Sequence, residues 1–335
     1  MKILTYNEID KQQWQQLIDR SATATWFQTD EAYQFYASVS EMIPFATAVE
    51  NNGKLRAVCV GYTTKETSTI KQYLTCRAII IGGPLLADDA TDEEVAALIE
   101  AVTNTSRLSP FASRPIYIET RNFNDYSRWK TVFEANGFAY QPHLNFHVDC
   151  TQENMLATMS ESKRRQIKKA IKSGVAIVEA QSQEDVRTYY DILKDLYKNK
   201  VKTPLFPLDF FLRFYENGFG KYLLVKYEDK IIGGIMCPIL KGRTIYEWFV
   251  CGMDEQYKNQ YPSVMATYAA IEYAQQNGLS RFDFMGAGKP DEAYGVRDFK
   301  ARFGGEMVEH GRCLYVRKPL LYNIGKLGVK LLKKR

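Results

Sequence analysis

One ordered series of elements can be read twice along this chain of 335 residues, and that repetition restricts the fold more than any single motif. In the first half, Phe45–Val49, a turn at Asn51-Asn52-Gly53 and Leu55–Tyr62 have the pattern of a β-hairpin. In the second half the same pattern runs through Tyr222–Tyr227, a turn at Glu228-Asp229-Lys230 and Ile231–Leu240. Each hairpin leads to a further strand, at Ala78–Ile81 and Thr244–Val250. A helix follows each, at Asp92–Asn104 and Ser263–Asn277, and then a short strand, at Ile116–Glu119 and Phe282–Phe284. The halves share the order of elements and few letters. Two copies of a mixed α/β unit is the simplest fold that accounts for this.

The length suits two such units. Hydrophobic residues make up 45% and charged residues 25%, as in a globular protein. No apolar run approaches the roughly 18 residues a membrane span needs, and the polar start Met-Lys-Ile-Leu-Thr-Tyr-Asn-Glu has no signal-peptide core. The expected location is therefore cytoplasmic. Six scattered cysteines without a CxxC pair read as reduced core residues. His143, His147 and His310 have no metal-ligand spacing, so no metal is expected. The formal charge of +5 comes from the last ten residues, which carry five Lys or Arg and no acid. The other 325 residues balance, 39 basic against 39 acidic, once those five are taken from 44. A general nucleic-acid binder would carry a basic body; this chain has local basic features instead.

The boundary between the units is expected near Asp149–Gln152, where Asn145–Val148 ends a strand and Thr151 offers a helix cap. Ser263 is read as the cap of the following long helix and Gly278 as its close, with Gly137 closing a helix in the first half. From Pro319 to Arg335 the pattern is a separate helix, with Leu320, Ile324, Leu327 and Leu331 on one face. Lys326, Lys330, Lys333 and Lys334 lie largely off that stripe. Such a basic amphipathic helix suits either a solvated surface or an anionic membrane.

Chemistry concentrates between Phe282 and Gly305. The segment runs Phe-Asp-Phe-Met-Gly286-Ala-Gly288, then Tyr294-Gly-Val, then Asp298-Phe299-Lys300-Ala-Arg302-Phe303-Gly304-Gly305. Lys300 lies between aromatic residues, either as a functional cation or as a lysine on an exposed strand start that snorkels past Phe299. The glycines either admit a ligand to the backbone or simply bend the chain. On the strand Tyr246-Glu247-Trp248-Phe249, alternation puts Tyr246 and Trp248 on one face, for substrate contact or for packing. From Ser160 to Gly174, a helical reading collects Arg164, Arg165, Lys168, Lys169 and Lys172 on one face, opposite Ile167, Ala170 and Ile171. That face suits tRNA phosphates, a nucleotide- or lipid-linked diphosphate, or bulk water.

The Phe282–Gly305 segment resembles the closing signature of the Fem family, the peptidyl and aminoacyl transferases of peptidoglycan bridge synthesis. The basic helix after Asp149 is similar to the opening of that family's second domain, and Trp26-Phe27-Gln28-Thr29 resembles its Phe-Gln segment near the substrate cleft. The resemblance implies an α/β fold of two GNAT-like domains in tandem. One comprises residues 1–149 together with a returning C-terminal helix, 318–335. The other, 150–317, carries the active site. It implies Lys300 as the oxyanion's cation, with substrate contacts from Phe299, Tyr246, Trp248, Gly286, Gly288 and Arg302. It further implies aminoacyl-tRNA as the acyl donor and a nucleotide- or lipid-linked muramyl-peptide precursor as acceptor, with no resident cofactor. The chain departs from the family in two places. Lys198-Asn-Lys200-Val-Lys202-Thr-Pro204 offers only lysines, Lys202 among them, where the family has an arginine, and lysine lacks arginine's planar grip on phosphate. The tRNA-associated helical hairpin of longer members has no counterpart.

Acyl-CoA enzymes of the GNAT class use a Gly-rich loop before a helix to hold pyrophosphate. Gln256-Tyr-Lys-Asn-Gln-Tyr-Pro262-Ser263 has no glycine, which disfavours coenzyme A. No Ser-His-Asp or Cys-His constellation is present, so the expected mechanism is direct attack by the acceptor amine. Asp283, Asp298 and Glu247 are the nearby carboxylates. The alternatives are an N-acyltransferase using acyl-CoA or an acyl carrier protein, and a binding scaffold without activity.

Overall fold

The computed structural model describes residues 1–104 and 114–332, with side chains through Leu327. The chain divides into two compact units, Met1–His143 with His310–Arg335, and Leu144–Glu309. The first unit holds strands β1 (Lys2–Thr5), β2 (Met42–Asn51), β3 (Lys54–Thr64), β4 (Ala78–Gly82), β5 (Leu85–Leu86), β6 (Tyr117–Asn122) and β7 (Ala139–Gln141). Its helices are α1 (Lys11–Arg20), α2 (Asp30–Ser38), α3 (Thr69–Thr75), α4 (Asp92–Thr103) and α5 (Lys130–Ala135). The second unit holds β8 (Leu144–Asp149), β9 (Ala176–Glu179), β10 (Gly220–Tyr227), β11 (Lys230–Leu240), β12 (Thr244–Tyr246), β13 (Phe249–Gly252), β14 (Arg281–Asp283) and β15 (Glu306–Glu309). Its helices are α6 (Met155–Thr158), α7 (Glu161–Lys172), α8 (Gln183–Leu196), α9 (Leu208–Glu216), α10 (Pro262–Gln276) and α11 (Gly295–Ala301). The chain then returns to the first unit with β16 (Arg312–Val316) and α12 (Pro319–Leu332).

The repeat read from the sequence is present in space. The first sheet runs β1-β2-β3-β4-β6-β16-β7, and the second, from its other edge, β9-β10-β11-β12-β14-β8-β15. In each, one pair is parallel, β4 with β6 and β12 with β14, and a helix (α4 or α10) makes the crossover between them. The hairpins hold the same place in each sheet.

The crossing between units falls at His143–Leu144, earlier than the expected Asp149–Gln152. Strand β8 pairs with β14 and β15, so it belongs to the second unit. Thr151 hydrogen-bonds Asp149, and Asn154 caps α6 instead. The way back lies beside the way out: Leu144 pairs with Glu309, and the Gly311 amide donates to the His143 carbonyl. The second unit is thus inserted between β7 and β16 of the first.

The second core forms around α10, which is apolar on nearly all sides and buried from Val264 to Ile271. Ile245, Phe282, Ile167 and Phe303 pack into the same cluster. The six cysteines are all buried. Helix α12 packs through Tyr322 against Tyr117, and just before it Lys318 sets its ammonium 3.8 Å from the Tyr73 ring centre. Its apolar stripe does not dock there: Leu320, Ile324 and Leu327 face outward, Leu320 with 78% of its surface open. The side chains of Lys330, Leu331, Lys333 and Lys334 lie outside the described residues.

Candidate active site

The site begins where the second sheet comes apart. Tyr246 pairs with Asp283, and the Glu247 amide donates to the Asp283 carbonyl at 2.9 Å as the last rung. Beyond that rung the strands diverge. The Phe284 amide turns to the Phe146 carbonyl on β8, while the Trp248 amide turns to Met236 on β11. The strand expected to run unbroken through Thr244–Val250 is therefore two strands with Glu247 and Trp248 between them. The alternation expected of Tyr246 and Trp248 fails for that reason. Tyr246 is wholly buried, with burial pushing its hydroxyl up to about 12, while Trp248 is half-buried against Phe210 and Phe214.

Lys300 spans the gap. It lies on the short helix α11 and only 8% of its surface is open. Its ammonium meets Glu247 Oε1 at 2.9 Å and donates to the Phe284 carbonyl at 2.8 Å and the Gly286 carbonyl at 2.9 Å. A lysine has three donors, and three acceptors surround it. Glu247 also accepts from Thr267 of α10 at 3.3 Å. Burial raises the Glu247 pKa, and Lys300 and Thr267 pull against that rise.

The turn after β14 is held from three sides. Met285 and Gly286 both have positive φ, at 56° and 133°, which for a methionine needs firm support. Asp283 accepts from the Met285 amide at 2.7 Å, and Asn145 accepts from the Gly286 amide at 2.7 Å. Arg297 of α11 donates to the carbonyls of Ala287, Lys289 and Glu292. Beneath lies a buried polar group. Asn145 donates to Asp283 at 2.8 Å, and His147 Nε2 lies 3.1 Å from the same carboxylate. Burial alone would raise the Asp283 pKa, but His147, Arg281 and Asn145 outweigh it and hold the carboxyl below its ordinary range.

Gly288 abuts the exposed Tyr294 ring, and Gly304 and Gly305 approach the carbonyls of Thr158 and His147. The last two glycines serve close approach of the chain to itself. Arg302 is exposed, and its carbonyl accepts from the Ser160 amide. Lys202 sits on an exposed loop after a π-helical turn at Tyr197–Val201. Gln28, in the first unit, is buried and donates to the carbonyls of Gly82 and Gly83.

The basic helix is α7, capped by Ser160. Arg165, Lys168, Lys169 and Lys172 are exposed and Arg164 partly so. Lys169 donates to Asn259, and Arg164 to the Ala157 carbonyl. The opposite face differs from expectation. Ile171 is half open, and Lys163 takes the inner position with Ile167 and Ala170. The spacing 163, 167, 170 carried that signal, since i, i+4 and i+7 share a helix face. Lys163 has only 4% of its surface open, and its ammonium lies 3.9 Å from the Phe299 ring centre and 5.0 Å from that of Phe303. Phe299, half-buried, is thus a platform between α11 and α7.

The start of α10 also differs from expectation. The helix begins at Pro262, and Ser263 is inside it. Asp254 supplies the cap, accepting from the Ser263 amide at 3.1 Å and from its hydroxyl.

Against known proteins, the family model described as "Acetyltransferase (GNAT) domain" matches residues 158–300. No curated protein matches the chain. Among solved structures, FemX is similar with a TM-score of 0.72 at 13% identity, over 97% of this chain and 99% of FemX. L-PGS from Bacillus licheniformis is similar with a TM-score of 0.57 at 12% identity, over 92% of each chain. A tandem GNAT protein from the clavulanic acid biosynthesis pathway gives 0.55 at 8% identity, over 93% of this chain and 97% of its own. The expected fold of two GNAT-like domains in tandem is the fold observed.

Proposed function

We propose, from the premise that this is a tandem-GNAT chain, that it transfers an aminoacyl group from aminoacyl-tRNA to an amine of a peptidoglycan precursor. The acceptor is a nucleotide- or lipid-linked muramyl peptide. The observation that carries the choice of donor is the Asp254 cap. A GNAT enzyme that uses acyl-CoA sets pyrophosphate against free amides at the start of the helix corresponding to α10. Here Pro262 has no N–H to offer, and the Ser263 amide already meets a carboxylate. Negative charge at that spot repels a pyrophosphate. The exposed cations of α7 favour a polyanionic donor.

In this reaction the acceptor amine attacks the donor's ester carbonyl, and negative charge grows on the carbonyl oxygen. Lys300 is the cation for that oxygen. Of its two carbonyl partners, Gly286 is the less buried, and that bond is the one to yield to substrate. Phe299 and Trp248 flank the approach, and Arg302 and Lys202 offer further cations from the surface. Glu247 is held in an internal ion pair with Lys300, and Asp283 is held by Asn145 and the Met285 amide with His147 beside it, while Asp298 faces solvent.

The test is transfer of label from a mixed pool of aminoacyl-tRNAs to a nucleotide-linked muramyl pentapeptide and its lipid-linked forms. Transfer is expected, falling about 10²–10³-fold when Lys300 is replaced, the usual size for loss of one oxyanion contact. Label moving only from acyl-CoA or an acyl carrier protein would select the thioester reading.

We further propose that the first unit rests on an anionic membrane surface. No helix among the described residues is long and apolar enough to cross a membrane. Two neighbouring helices nevertheless expose apolar side chains: Leu320, Ile324 and Leu327 on α12, and Ile70, Tyr73 and Leu74 on α3. Lys318 joins them through its contact with Tyr73, and Lys71 and Lys326 flank the patch. Apolar insertion combined with basic flanks is the pattern of interfacial helices. Co-sedimentation with phosphatidylglycerol vesicles should fall about tenfold on deleting 319–335 and also with Ile70→Glu plus Leu74→Glu. Equal sedimentation of all three proteins would remove the idea.

A further inference from the structure

Every acceptor that holds the Lys300 ammonium is itself anchored one bond further back. The peptide that carries the Phe284 carbonyl also carries the Met285 amide, which donates to Asp283 Oδ1 at 2.7 Å. The peptide that carries the Gly286 carbonyl also carries the Ala287 amide, which donates to the Leu144 carbonyl at 2.6 Å. The peptide between those two presents the Gly286 amide to Asn145 Oδ1 at 2.7 Å. Glu247 hangs by its own amide from the Asp283 carbonyl. A lysine head rides on a flexible four-carbon stem, so the ammonium stands where these acceptors put it.

Asn145 is the side chain in which the anchors meet. It lies on β8, where Leu144, Phe146 and Val148 join the core cluster and Asn145 and His147 take the alternate positions. Only 3% of its surface is open. Its oxygen accepts from the Phe146 and Gly286 amides, at 2.9 and 2.7 Å. Its nitrogen donates to Asp283 Oδ1 at 2.8 Å and lies 3.3 Å from His147 Nε2. Two amide donors on one side and a carboxylate on the other fix which way the carboxamide points. An aspartate here would face Asp283 with a second buried carboxylate. A leucine would leave the Gly286 amide and Asp283 Oδ1 each short of a partner. Met285, at φ 56°, is the strained link of the turn. Asp283 and Asn145 hold the amides on either side of it.

We propose that Asn145 is a positioning residue for Lys300: by fixing the turn at Met285 and Gly286 it sets the place of the ammonium without touching substrate. In the aminoacyl-transfer reading, on which this role rests, the ammonium must reach a growing oxyanion, and a misplacement of about 1 Å costs up to roughly 100-fold in rate.

The experiment compares the full-length protein with Asn145→Leu and, as a control on the same strand, Val148→Ala. Val148 points into the core, with 1% of its surface open. Both substitutions lower the melting temperature, but only the first frees the turn. Lysines are pulse-labelled with acetic anhydride well below both melting temperatures. The rate at Lys300 is read by mass spectrometry against that of the exposed Lys172. Asn145→Leu is expected to speed labelling of Lys300 about tenfold, as for one charged hydrogen bond loosened. Val148→Ala should leave it within about twofold, because its loss is not local to the turn. Aminoacyl transfer by the same preparations should show kcat about 10–100-fold lower in Asn145→Leu, with KM within about twofold. The proposal is overturned if Lys300 is labelled no faster in Asn145→Leu than in Val148→Ala, or faster while kcat is unchanged. A rise in KM alone also overturns it, by placing Asn145 in substrate binding. If the natural protein transfers no aminoacyl group, the functional reading fails, and the labelling alone decides whether Asn145 sets the ammonium. Should Asn145→Leu not fold, Asn145→Ser, whose hydroxyl cannot reach Gly286 and Asp283 together, carries the same test.

Discussion

Lys300→Ala is expected to lower the stability of the second unit by about 3–5 kcal/mol, the usual cost of removing one partner from a buried ion pair. The substitution leaves Glu247 as a lone carboxylate with 5% of its surface open, supported only by Thr267. It also leaves the Phe284 and Gly286 carbonyls without their donor. Urea denaturation measures the loss directly. Lys300→Met combined with Glu247→Leu should recover more than half of it, because the pair is then replaced by apolar groups and no charge is stranded. The double variant separates two roles that the single one confuses. If it is stable and still fails to transfer an acyl group, the lysine acts on substrate. If it is stable and active, Lys300 is a strut that holds the turn after β14. A loss below about 1 kcal/mol in the single variant, as for a surface ion pair, would show that the buried contact with Glu247 is not formed.

Gly304→Ala should be comparably damaging, for a steric reason. Gly304 has φ +85°, and a Cβ there would lie 2.3 Å from the Thr158 carbonyl oxygen and 2.8 Å from its carbon. Both obstacles belong to backbone that cannot swing aside. Left-handed backbone costs a non-glycine residue roughly 1–2 kcal/mol, and overpacking adds typically 1–3. A total of about 3 kcal/mol or more is expected. Gly278→Ala is the natural control. Its φ is +66°, but nothing lies within 4 Å of the added carbon, so only the conformational cost of about 1 kcal/mol applies. Denaturation of the two variants side by side checks this, and equal losses would mean that α6 does not approach Gly304 so closely.

The order of elements was legible in the sequence because it rests on local signals. Turn residues such as Asn52-Gly53, alternating apolar runs and closing glycines report on their own neighbourhood, and the hairpins and helices follow from them. The basic face of α7 was legible for the same reason. What was hidden depends on partners distant in sequence. Nothing in Tyr246-Glu247-Trp248 announces that the ladder ends there, since the cause is the divergence of β14. Lysine is ordinarily a surface residue, so the burial of Lys300 could be read only with Glu247 beside it. Lys163 was partly legible: its spacing to Ile167 and Ala170 put it inside, and its charge argued it back out. Ser263 looked like a cap because serine usually is one, and Asp254, from the preceding loop, had taken the position.

The insertion of one unit into the other fixes the order in which the protein can be completed during synthesis. Strand β16 pairs with both β6 and β7, so the first sheet lacks an interior strand until residue 316 has been made. The second unit lies wholly within 144–309 and needs nothing that follows. Domains usually mature from the amino terminus as the chain leaves the ribosome. Here the amino-terminal unit finishes last, and until then the edges of β6 and β7 that receive β16 stay open while the inserted unit is already folded.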